Sequence, residues 1–316
     1  MFCKRLASEV NIRGMEKIIF FGGGKFAVPS LSVLAKKFNI ALVVTNPEKP
    51  IGRKQIPEPS AVEIEAKKLG LPVTIAEKFD NIITDKIQAA NPSFFIIIDY
   101  GKIIPQNILD IPPKGAINVH PSALPKYRGA SPLQTAILNG DKETAITVML
   151  ADNEMDHGPI LAQKKITIED TDTYGSLYTR LSTTYPKFLI TTAEEYLSGE
   201  LKPKTQEHSK ATFTKLLKRG DGHIDWNKSA EEIERMVRAY NPWPGTFYVF
   251  NQKNVKIIKS TIEHKNYPDK KISELFKTAD KKLAVKCGQE TLIIDRVQPA
   301  GKRPMSGEEF ARGYLK

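Results

Sequence analysis

The first two hundred positions alternate between short apolar runs and longer stretches in which apolar residues recur every three or four positions. Such runs are typical of buried strands, and such periodic stretches are typical of amphipathic helices. The predicted strands are 17–21, 40–45, 94–99, 116–120 and 144–150, and the predicted helices include 61–69, 83–89 and 174–197. This alternation predicts an α/β fold with a doubly wound, mainly parallel sheet.

The pattern changes after residue 200. Residues 201–221 are polar and basic without periodicity, which predicts a linker. Ser229 and Glu232 form a capping box that opens a helix, and the Asn-Pro-Trp-Pro-Gly run at 241–245 ends it. Short apolar runs at 246–250, 255–262, 283–286 and 291–297 then predict a small antiparallel barrel. The chain is therefore predicted to comprise an extension (1–14), a main domain (15–200), a linker (201–221) and a C-terminal domain (222–316).

Composition places the protein among ordinary globular chains. Of its 316 residues 41% are hydrophobic and 26% are charged, and no apolar run approaches the length that spans a bilayer. Cys3 and Cys287 lack a disulfide or metal-ligand spacing, which favours a reducing, cytoplasmic compartment. Residues 1–14 lack the apolar centre of a secretory signal, so we expect a short disordered extension or an upstream start codon.

The positive charge is concentrated in the C-terminal third. From residue 201 onward 24 lysines and arginines face 14 aspartates and glutamates, which gives +10 of the chain's net charge of +11. A nearly neutral N-terminal part and a basic C-terminal part indicate a catalytic domain followed by a module that binds a polyanion. RNA is the usual polyanion. The alternative is a lysine-rich surface with no such partner.

A glycine run follows the first predicted strand. Residues 22–27 read Gly-Gly-Gly-Lys-Phe-Ala and match the dinucleotide-binding pattern G-x-G-x-x-A. The second strand, however, ends at Thr45-Asn46-Pro47 without the acidic residue that would hold a ribose hydroxyl. The glycines are therefore interpreted as a tight strand-to-helix turn beside a substrate cleft, with nicotinamide binding as the lesser alternative.

An amide and an imidazole lie at the end of the fourth predicted strand. Asn118 and His120 are two positions apart, so on an extended strand they point to the same face. An acidic residue, Asp156, follows in the sequence Asp-Asn-Glu-Met-Asp-His-Gly-Pro. Ser122 lies close by, but no glycine elbow surrounds it as a nucleophile would require. The set suggests acyl transfer without a covalent enzyme intermediate.

Three separated segments resemble the folate-dependent formyltransferases. The central run INVHPSALPKYRGASPLQTAILNGDKETAITVMLADNEMDHGPIL carries the family's Asn-x-His, its Leu-Pro-x-Tyr-Arg-Gly-Ala loop and its later aspartate. TNPEKPIGR follows the second strand, and IDWNKSAEEIERMVRAYNPWPGTFYVF with VQPAGKRPMSGEEFARG is similar to the C-terminal module of the methionyl-tRNA formyltransferase branch. The resemblance covers about residues 16–314. It implies a Rossmann-like catalytic domain and an OB-like C-terminal domain.

The same resemblance implies the activity and the site. It implies direct formyl transfer, through a tetrahedral intermediate, from 10-formyltetrahydrofolate to the methionine amino group of initiator methionyl-tRNA, in an enzyme of translation initiation. No metal is expected, and because no obligate protein partner is evident in the sequence, a monomer is expected. The implied catalytic residues are Asn118, His120 and Asp156. The implied donor-binding residues are Tyr100, Gly101, Ser122, Leu124, Pro125 and Asp152. The implied tRNA contacts are Arg53, Lys54, Lys126 and Arg128, and Phe26 is placed in the methionyl side-chain pocket.

The chain departs from the family pattern at three places. Gly22–Phe26 replaces the usual Gly-Thr-Pro-Asp-Phe, so the methionyl pocket is expected to differ near Phe26. The loop at 52–56 keeps Arg53 but lacks the usual lysine pair, so Arg53 is expected to carry more of the tRNA contact. Asp99 stands where an uncharged residue is commoner, which predicts an extra carboxylate at the folate pocket.

Two rival functions stay open. A formyltetrahydrofolate hydrolase or a sugar-amine formyltransferase would need the same polar set but not the basic tail. A tRNA-binding paralogue without catalysis would be expected to have lost Asn118, His120 or Asp156, and all three are present. Lys126 and Arg128 also have an ordinary alternative as solvated loop charges.

Overall fold

The computed structural model describes residues 16–51, 56–265 and 267–315. Within it the chain forms two compact units. The first contains the described residues up to His120, with Ile146–Lys164 and Ser182–His208, and the second contains Pro121–Ala145, Lys165–Leu181 and the described residues from Ser209 onward. Among the described residues no helix is both long and apolar enough to cross a bilayer.

Strands and helices are named in chain order. The strands are β1 (Lys17–Gly22), β2 (Asn39–Thr45), β3 (Lys49–Ile51), β4 (Ile56–Glu58), β5 (Val73–Ile75), β6 (Phe94–Ile98), β7 (Ala116–His120), β8 (Arg128–Gly129), β9 (Glu143–Leu150), β10 (Ile160–Thr167), β11 (Phe213–Thr214), β12 (Thr246–Phe250), β13 (Lys253–Glu263), β14 (Leu275–Lys277), β15 (Leu283–Lys286), β16 (Thr291–Pro299) and β17 (Met305–Ser306). The α-helices are α1 (Val28–Leu34), α2 (Ala61–Lys68), α3 (Asn81–Ala89), α4 (Gln106–Leu109), α5 (Pro132–Asn139), α6 (Tyr174–Leu197), α7 (Ala230–Ala239) and α8 (Gly307–Tyr314).

A seven-stranded sheet has the order β10-β9-β7-β6-β1-β2-β5. β1 pairs in parallel with β2 and β6, β2 with β5, and β6 with β7, whereas β9 runs antiparallel to β7. The prediction of a mainly parallel sheet is confirmed. Every residue of β6 is buried, as expected for a central parallel strand that is covered on both faces. Parallel pairing brings the carboxyl ends of β1, β6 and β7 to one edge of the sheet.

Local signals set the helix boundaries. The Ser60 hydroxyl accepts a hydrogen bond from the Glu63 amide at 2.9 Å and starts α2. The Asp80 carboxylate accepts one from the Ile83 amide at 3.1 Å and starts α3. The helix predicted at 174–197 is present as α6 with the same bounds.

The C-terminal region contains an antiparallel sheet of order β12-β13-β16-β15-β14, with β17 paired to β16. The predicted capping box of α7 is confirmed, because the Ser229 hydroxyl accepts from the Glu232 amide while Glu232 accepts from the Ser229 amide. Ile233 and Val237 of α7 pack into a buried cluster with residues of this sheet. The antiparallel arrangement agrees with the expectation, whereas an OB-like barrel stays a prediction.

The predicted linker carries more structure than its sequence indicates. β11 pairs in parallel with β8, and two 3₁₀ turns cover His208–Lys210 and Arg219–Gly222. Lys204 exchanges two backbone hydrogen bonds with Ile160, each 2.8 Å long. Pairing of this kind depends on contacts with distant residues, and the sequence of the segment shows no periodicity that could reveal it.

Candidate active site

The carboxyl end of β7 carries Asn118 and His120. The strand is extended, so the two side chains share a face as predicted. His120 is 5% exposed and Asn118 is half-buried, which places an amide and an imidazole at the edge of the parallel sheet rather than in open solvent. The carboxyl edge of such a sheet is where α/β proteins build ligand sites.

Asp156 joins these two side chains from the loop after β9. One carboxylate oxygen, Oδ1, lies 3.4 Å from the Asn118 amide nitrogen Nδ2 and 3.4 Å from Nδ1 of His120. The Asp156 side chain is 12% exposed, so little water competes for this oxygen. The structure therefore brings together the three residues predicted to be catalytic. A carboxylate beside Nδ1 favours the proton on that nitrogen, which directs the imidazole's proton-transfer chemistry to Nε2.

The conformation of the Asp156 loop is unusual. Asp156 has a φ of +52°, a region that residues with a side chain adopt at a cost. Gly158, two residues later, approaches the backbone so closely that a Cβ there would lie 1.9 Å from the Leu150 carbonyl oxygen. Gln206, which sequence reasoning did not select, donates to the carbonyls of Asp156 at 2.9 Å and Gly158 at 2.8 Å.

Asp152, predicted to bind the donor, lies in the same loop. Its Oδ2 is 2.7 Å from Nδ1 of His157, and its Oδ1 accepts a hydrogen bond from the Glu154 amide at 3.0 Å. The His157 ring stacks on the His208 ring with a centroid distance of 4.0 Å. These contacts give Asp152 a visible role in shaping the loop, and its predicted contact with a donor stays a prediction.

The glycine run packs against the end of β6. The amides of Gly23 and Gly24 both donate to the Asp99 carbonyl, at 3.1 and 3.2 Å. A Cβ on Gly24 would lie 1.7 Å from Oδ2 of Asp99, so the Asp99 carboxylate occupies the space that a side chain would fill. Two departures from the family pattern, the glycine run and Asp99, therefore compensate each other. This tight turn is the interpretation favoured from sequence.

Tyr100 and Gly101 follow Asp99. The Tyr100 ring is 3% exposed and lies in the hydrophobic core, 5.6 Å from the Phe21 ring. Its hydroxyl is buried without a hydrogen-bond partner among the described residues, and burial raises the pKa of Tyr100 to about 12. Gly101 is exposed with a φ of +71°. Contact with a ligand at this turn would therefore involve the backbone rather than the tyrosine hydroxyl.

Replacement of Tyr100 by phenylalanine tests this placement. We expect Tyr100→Phe to keep the Michaelis constant for the formyl donor within about twofold. We also expect it to raise the free energy of unfolding by about 1 kcal/mol, since it deletes an unsatisfied buried hydroxyl. Steady-state kinetics and urea unfolding measure the two effects. A tenfold rise in the donor's Michaelis constant would show that the hydroxyl contacts the donor.

The loop after β7 belongs to the second compact unit. The Ser122 hydroxyl is fully buried and donates to the Lys126 carbonyl at 2.7 Å, which closes the loop on itself. Leu124 is 4% exposed, and Pro125 is half-buried. The contacts that the structure shows for Ser122 are structural, and the predicted donor contacts of these three residues stay predictions.

Lys126 and Arg128 have opposite environments. Lys126 is exposed and lines a cleft of about 760 Å³ together with Lys142 and Lys210. Arg128 is only 3% exposed, and its guanidinium carbon lies 5.9 Å from the centre of the Phe213 ring. Arg128 is therefore buried against an aromatic ring rather than solvated, and its predicted tRNA contact stays a prediction.

Phe26 lies in the core of the first unit. Its ring stacks on Tyr185 at 4.6 Å, and the Tyr185 hydroxyl donates to the Phe26 carbonyl at 2.8 Å. Phe26 is 4% exposed, so its predicted place in a methionyl pocket stays a prediction. Arg53 and Lys54 lie outside the described residues. Within the described chain no group of three or more His, Cys, Asp or Glu side chains has the geometry of a metal site.

Two family profiles match the chain. The one described as "Formyl transferase" matches residues 16–193, and "Formyl transferase, C-terminal domain" matches residues 216–315. A methionyl-tRNA formyltransferase of Roseiflexus castenholzii is 40% identical over 300 residues, covering 94% of this chain and 96% of that protein. One of Thermodesulfovibrio yellowstonii is 41% identical over 299 residues, covering 94% and 95%.

The fold is also that of a solved N-formyltransferase. The Helicobacter canadensis enzyme, in complex with folinic acid and dTDP-3-aminofucose, superposes with a TM-score of 0.64 at 20% identity, covering 89% of this chain and 98% of that one. At 20% identity this match shows the fold alone, whereas the profiles and the curated relatives show the family. The chain therefore belongs to the formyl transferase family, within its methionyl-tRNA formyltransferases, and the prediction of a formyl-transferring enzyme is confirmed.

Proposed function

We propose that this enzyme transfers the formyl group of 10-formyltetrahydrofolate to the amino group of methionine on initiator methionyl-tRNA. The observation that carries the proposal is the convergence of Asn118 and His120 on one oxygen of Asp156, at the carboxyl edge of the sheet. The curated relatives that carry the name methionyl-tRNA formyltransferase support the choice of acceptor.

The reaction defines what the site has to supply. The methionine nitrogen forms a bond to the formyl carbon, and the bond from that carbon to the folate nitrogen breaks. The amine loses a proton, the departing nitrogen gains one, and negative charge develops briefly on the formyl oxygen. A site for this reaction needs a hydrogen-bond donor for that oxygen and a group that accepts and returns a proton.

The three residues match these needs. Asn118 is a neutral amide donor whose N–H contact to Asp156 is long, at 3.4 Å, and can be exchanged for a developing oxyanion. His120 is assigned proton transfer at Nε2, with Asp156 holding the proton on Nδ1. Burial of His120 and Asp156 excludes competing water and strengthens each of these interactions. The chemistry requires no covalent enzyme intermediate.

In the turn after β6, we assign the predicted donor contact to the backbone of Gly101. The side-chain oxygen of Asn46 is buried and accepts no hydrogen bond among the described residues, while the Asn46 amide nitrogen donates to the Tyr100 carbonyl at 2.6 Å. Gly101 has no atom within 4 Å of its Cβ position, so this backbone is open to approach. Asn46 is assigned the role of holding this turn, through its hydrogen bond to the Tyr100 carbonyl.

The basic C-terminal region is assigned to tRNA, and we place its anchoring role in a predicted OB-like domain from residue 222. The net charge of +10 from residue 201 onward suits phosphate contacts that do not depend on sequence. Arg53 and Lys54 stay predicted contacts near the acceptor end, and Lys126 is an exposed candidate on the cleft described above.

Neutralising Lys126 tests the tRNA assignment. We expect Lys126→Gln to raise the Michaelis constant for methionyl-tRNA by about three- to tenfold and to reduce the salt dependence of tRNA binding by about one phosphate contact. Binding measured across a series of salt concentrations reports this slope. Lys67→Gln is the matched control, since Lys67 is exposed on α2 and paired with Glu63. Equal slopes in the two variants would remove Lys126 from the tRNA surface.

A competition of acceptors tests the proposed function. The full-length enzyme is incubated with 10-formyltetrahydrofolate and one of three acceptors: charged initiator tRNA, a nucleotide-linked amino sugar, or water alone. We expect formyl-methionine on the tRNA to be the dominant product. Preferential formylation of the sugar, or release of formate without an acceptor, would instead support a sugar-amine formyltransferase or a hydrolase. No formyl product on any acceptor would support a non-catalytic paralogue.

A further inference from the structure

Gln206 lies in the segment that the sequence predicts to be a linker, yet the residue is only 4% exposed. Its amide nitrogen Nε2 donates two hydrogen bonds, to the Asp156 carbonyl at 2.9 Å and to the Gly158 carbonyl at 2.8 Å. A single buried amide thus satisfies two backbone acceptors on either side of His157. A buried polar side chain is tolerated only where its hydrogen bonds are made, so this position is specific for a donor.

The loop that Gln206 holds does not adopt its conformation without restraint. The φ of +52° at Asp156 costs about 1 kcal/mol or more for a residue with a side chain. Such a conformation persists only when surrounding contacts fix it. The two carbonyls bound by Gln206 belong to this residue and to the glycine that follows it by two positions.

The segment around Gln206 is itself anchored. Lys204 pairs with Ile160 through two backbone hydrogen bonds of 2.8 Å, and His208 stacks on His157 with a centroid distance of 4.0 Å. The chain is therefore held on both sides of Gln206, at residue 204 by the first residue of β10 and at residue 208 by the Asp156 loop. Because Gln206 lies between these two anchored residues, the backbone that carries its side-chain amide is held in place on both sides.

We propose that Gln206 is a positioning residue for formyl transfer, which fixes the Asp156 backbone so that its carboxylate meets Asn118 and His120. The inference rests on the proposed function, because it concerns the same site. The Asp156 contacts to these two residues are both 3.4 Å long, at the outer limit of a hydrogen bond, so a small displacement of the loop breaks them. A misplacement of about 1 Å in an active site can cost about a hundredfold in rate.

The test is Gln206→Met, which keeps the length of the side chain but removes the donor. We expect kcat to fall by about tenfold to a hundredfold, while the Michaelis constants for both substrates stay within about threefold of the wild-type values. The same substitution in an Asp156→Asn background should cost less than about threefold, since the carboxylate that Gln206 positions is already gone. A purely structural role would predict equal losses in the two backgrounds.

Tyr196→Phe is the matched control. It deletes one side-chain hydrogen bond to a backbone carbonyl, that of Lys114 at 3.2 Å, in the same compact unit, and we expect kcat to be unchanged. If Gln206→Met does not fold, Gln206→Asn takes its place, since it keeps an amide that is one methylene too short to reach both carbonyls. Wild-type kcat in the folded variant, or additive losses in the double variant, would overturn the proposal. An inactive wild-type enzyme would instead refute the proposed function.

Discussion

Asp156→Asn is expected to lower kcat by about a hundredfold or more, with the protein still folded. The substitution keeps the size of the side chain but removes the negative charge that faces Nδ1 of His120 at 3.4 Å. Without it the imidazole loses the partner that sets its tautomer. The substituted side chain keeps an oxygen that can accept from Nδ2 of Asn118, so the loss is expected to act through His120.

Single-turnover kinetics with saturating donor and charged tRNA measure this loss directly, because they separate chemistry from product release. His120→Ala should show a loss of similar size, and the double variant should be little worse than either single variant, as expected for groups that act as a unit. Asp110→Asn is the control, since Asp110 is an exposed carboxylate that accepts one hydrogen bond from Gln106. Turnover near the wild-type rate in Asp156→Asn would remove the residue from catalysis.

Gly158→Ala is expected to have the largest effect on stability. A Cβ at this position would lie 1.9 Å from the Leu150 carbonyl oxygen, and that oxygen belongs to the backbone of β9 and cannot move aside at low cost. We expect the free energy of unfolding to fall by about 3 kcal/mol. Because the shifted backbone carries the Asp156 loop, we also expect kcat to fall by about tenfold or more in the fraction that stays folded.

Urea unfolding and activity assays on the purified variant measure the two effects. Gly220→Ala is the matched control, since a Cβ at Gly220 meets no atom within 4 Å. It should stay within about 0.5 kcal/mol of the wild-type protein. A Gly158→Ala variant as stable and as active as this control would mean that the loop tolerates a shift and that its close approach to β9 is not needed.

Much of the catalytic unit could be predicted because its signals are local. The apolar run at 116–120 is a strand, and the period of two along it puts Asn118 and His120 on one face whatever surrounds them. The Ser229 capping box and α6 were equally predictable, because each depends on residues within a few turns of helix. The motifs between residues 116 and 159 carry much of the resemblance to the family, since they are short runs that lie close together in the chain.

Other parts of the site had no local signal. The sequence around Arg128 is typical of an exposed loop, but the pairing of β8 with β11 buries this residue beside Phe213. Gln206 reads as one polar residue among many in a basic stretch, but it is buried against carbonyls about fifty residues earlier in the chain. In the sequence, Asp99 and the glycine run are two separate departures from the family pattern. Only their contact in the structure shows that the glycines leave room for the Asp99 carboxylate.

The sequence by itself determined the alternation of strands and helices, the shared face of Asn118 and His120, the family and the basic character of the tail, although strands β5 and β10 of the main sheet were not predicted. These properties follow from periodicity, capping, motif spacing and charge, which act within short segments or add up along the chain. Only the tertiary structure decided that β9 runs antiparallel to β7, that Asp156 reaches both strand residues, and that Gln206 holds the loop. Such contacts join residues far apart in the chain, and their geometry is set by packing that no single segment encodes.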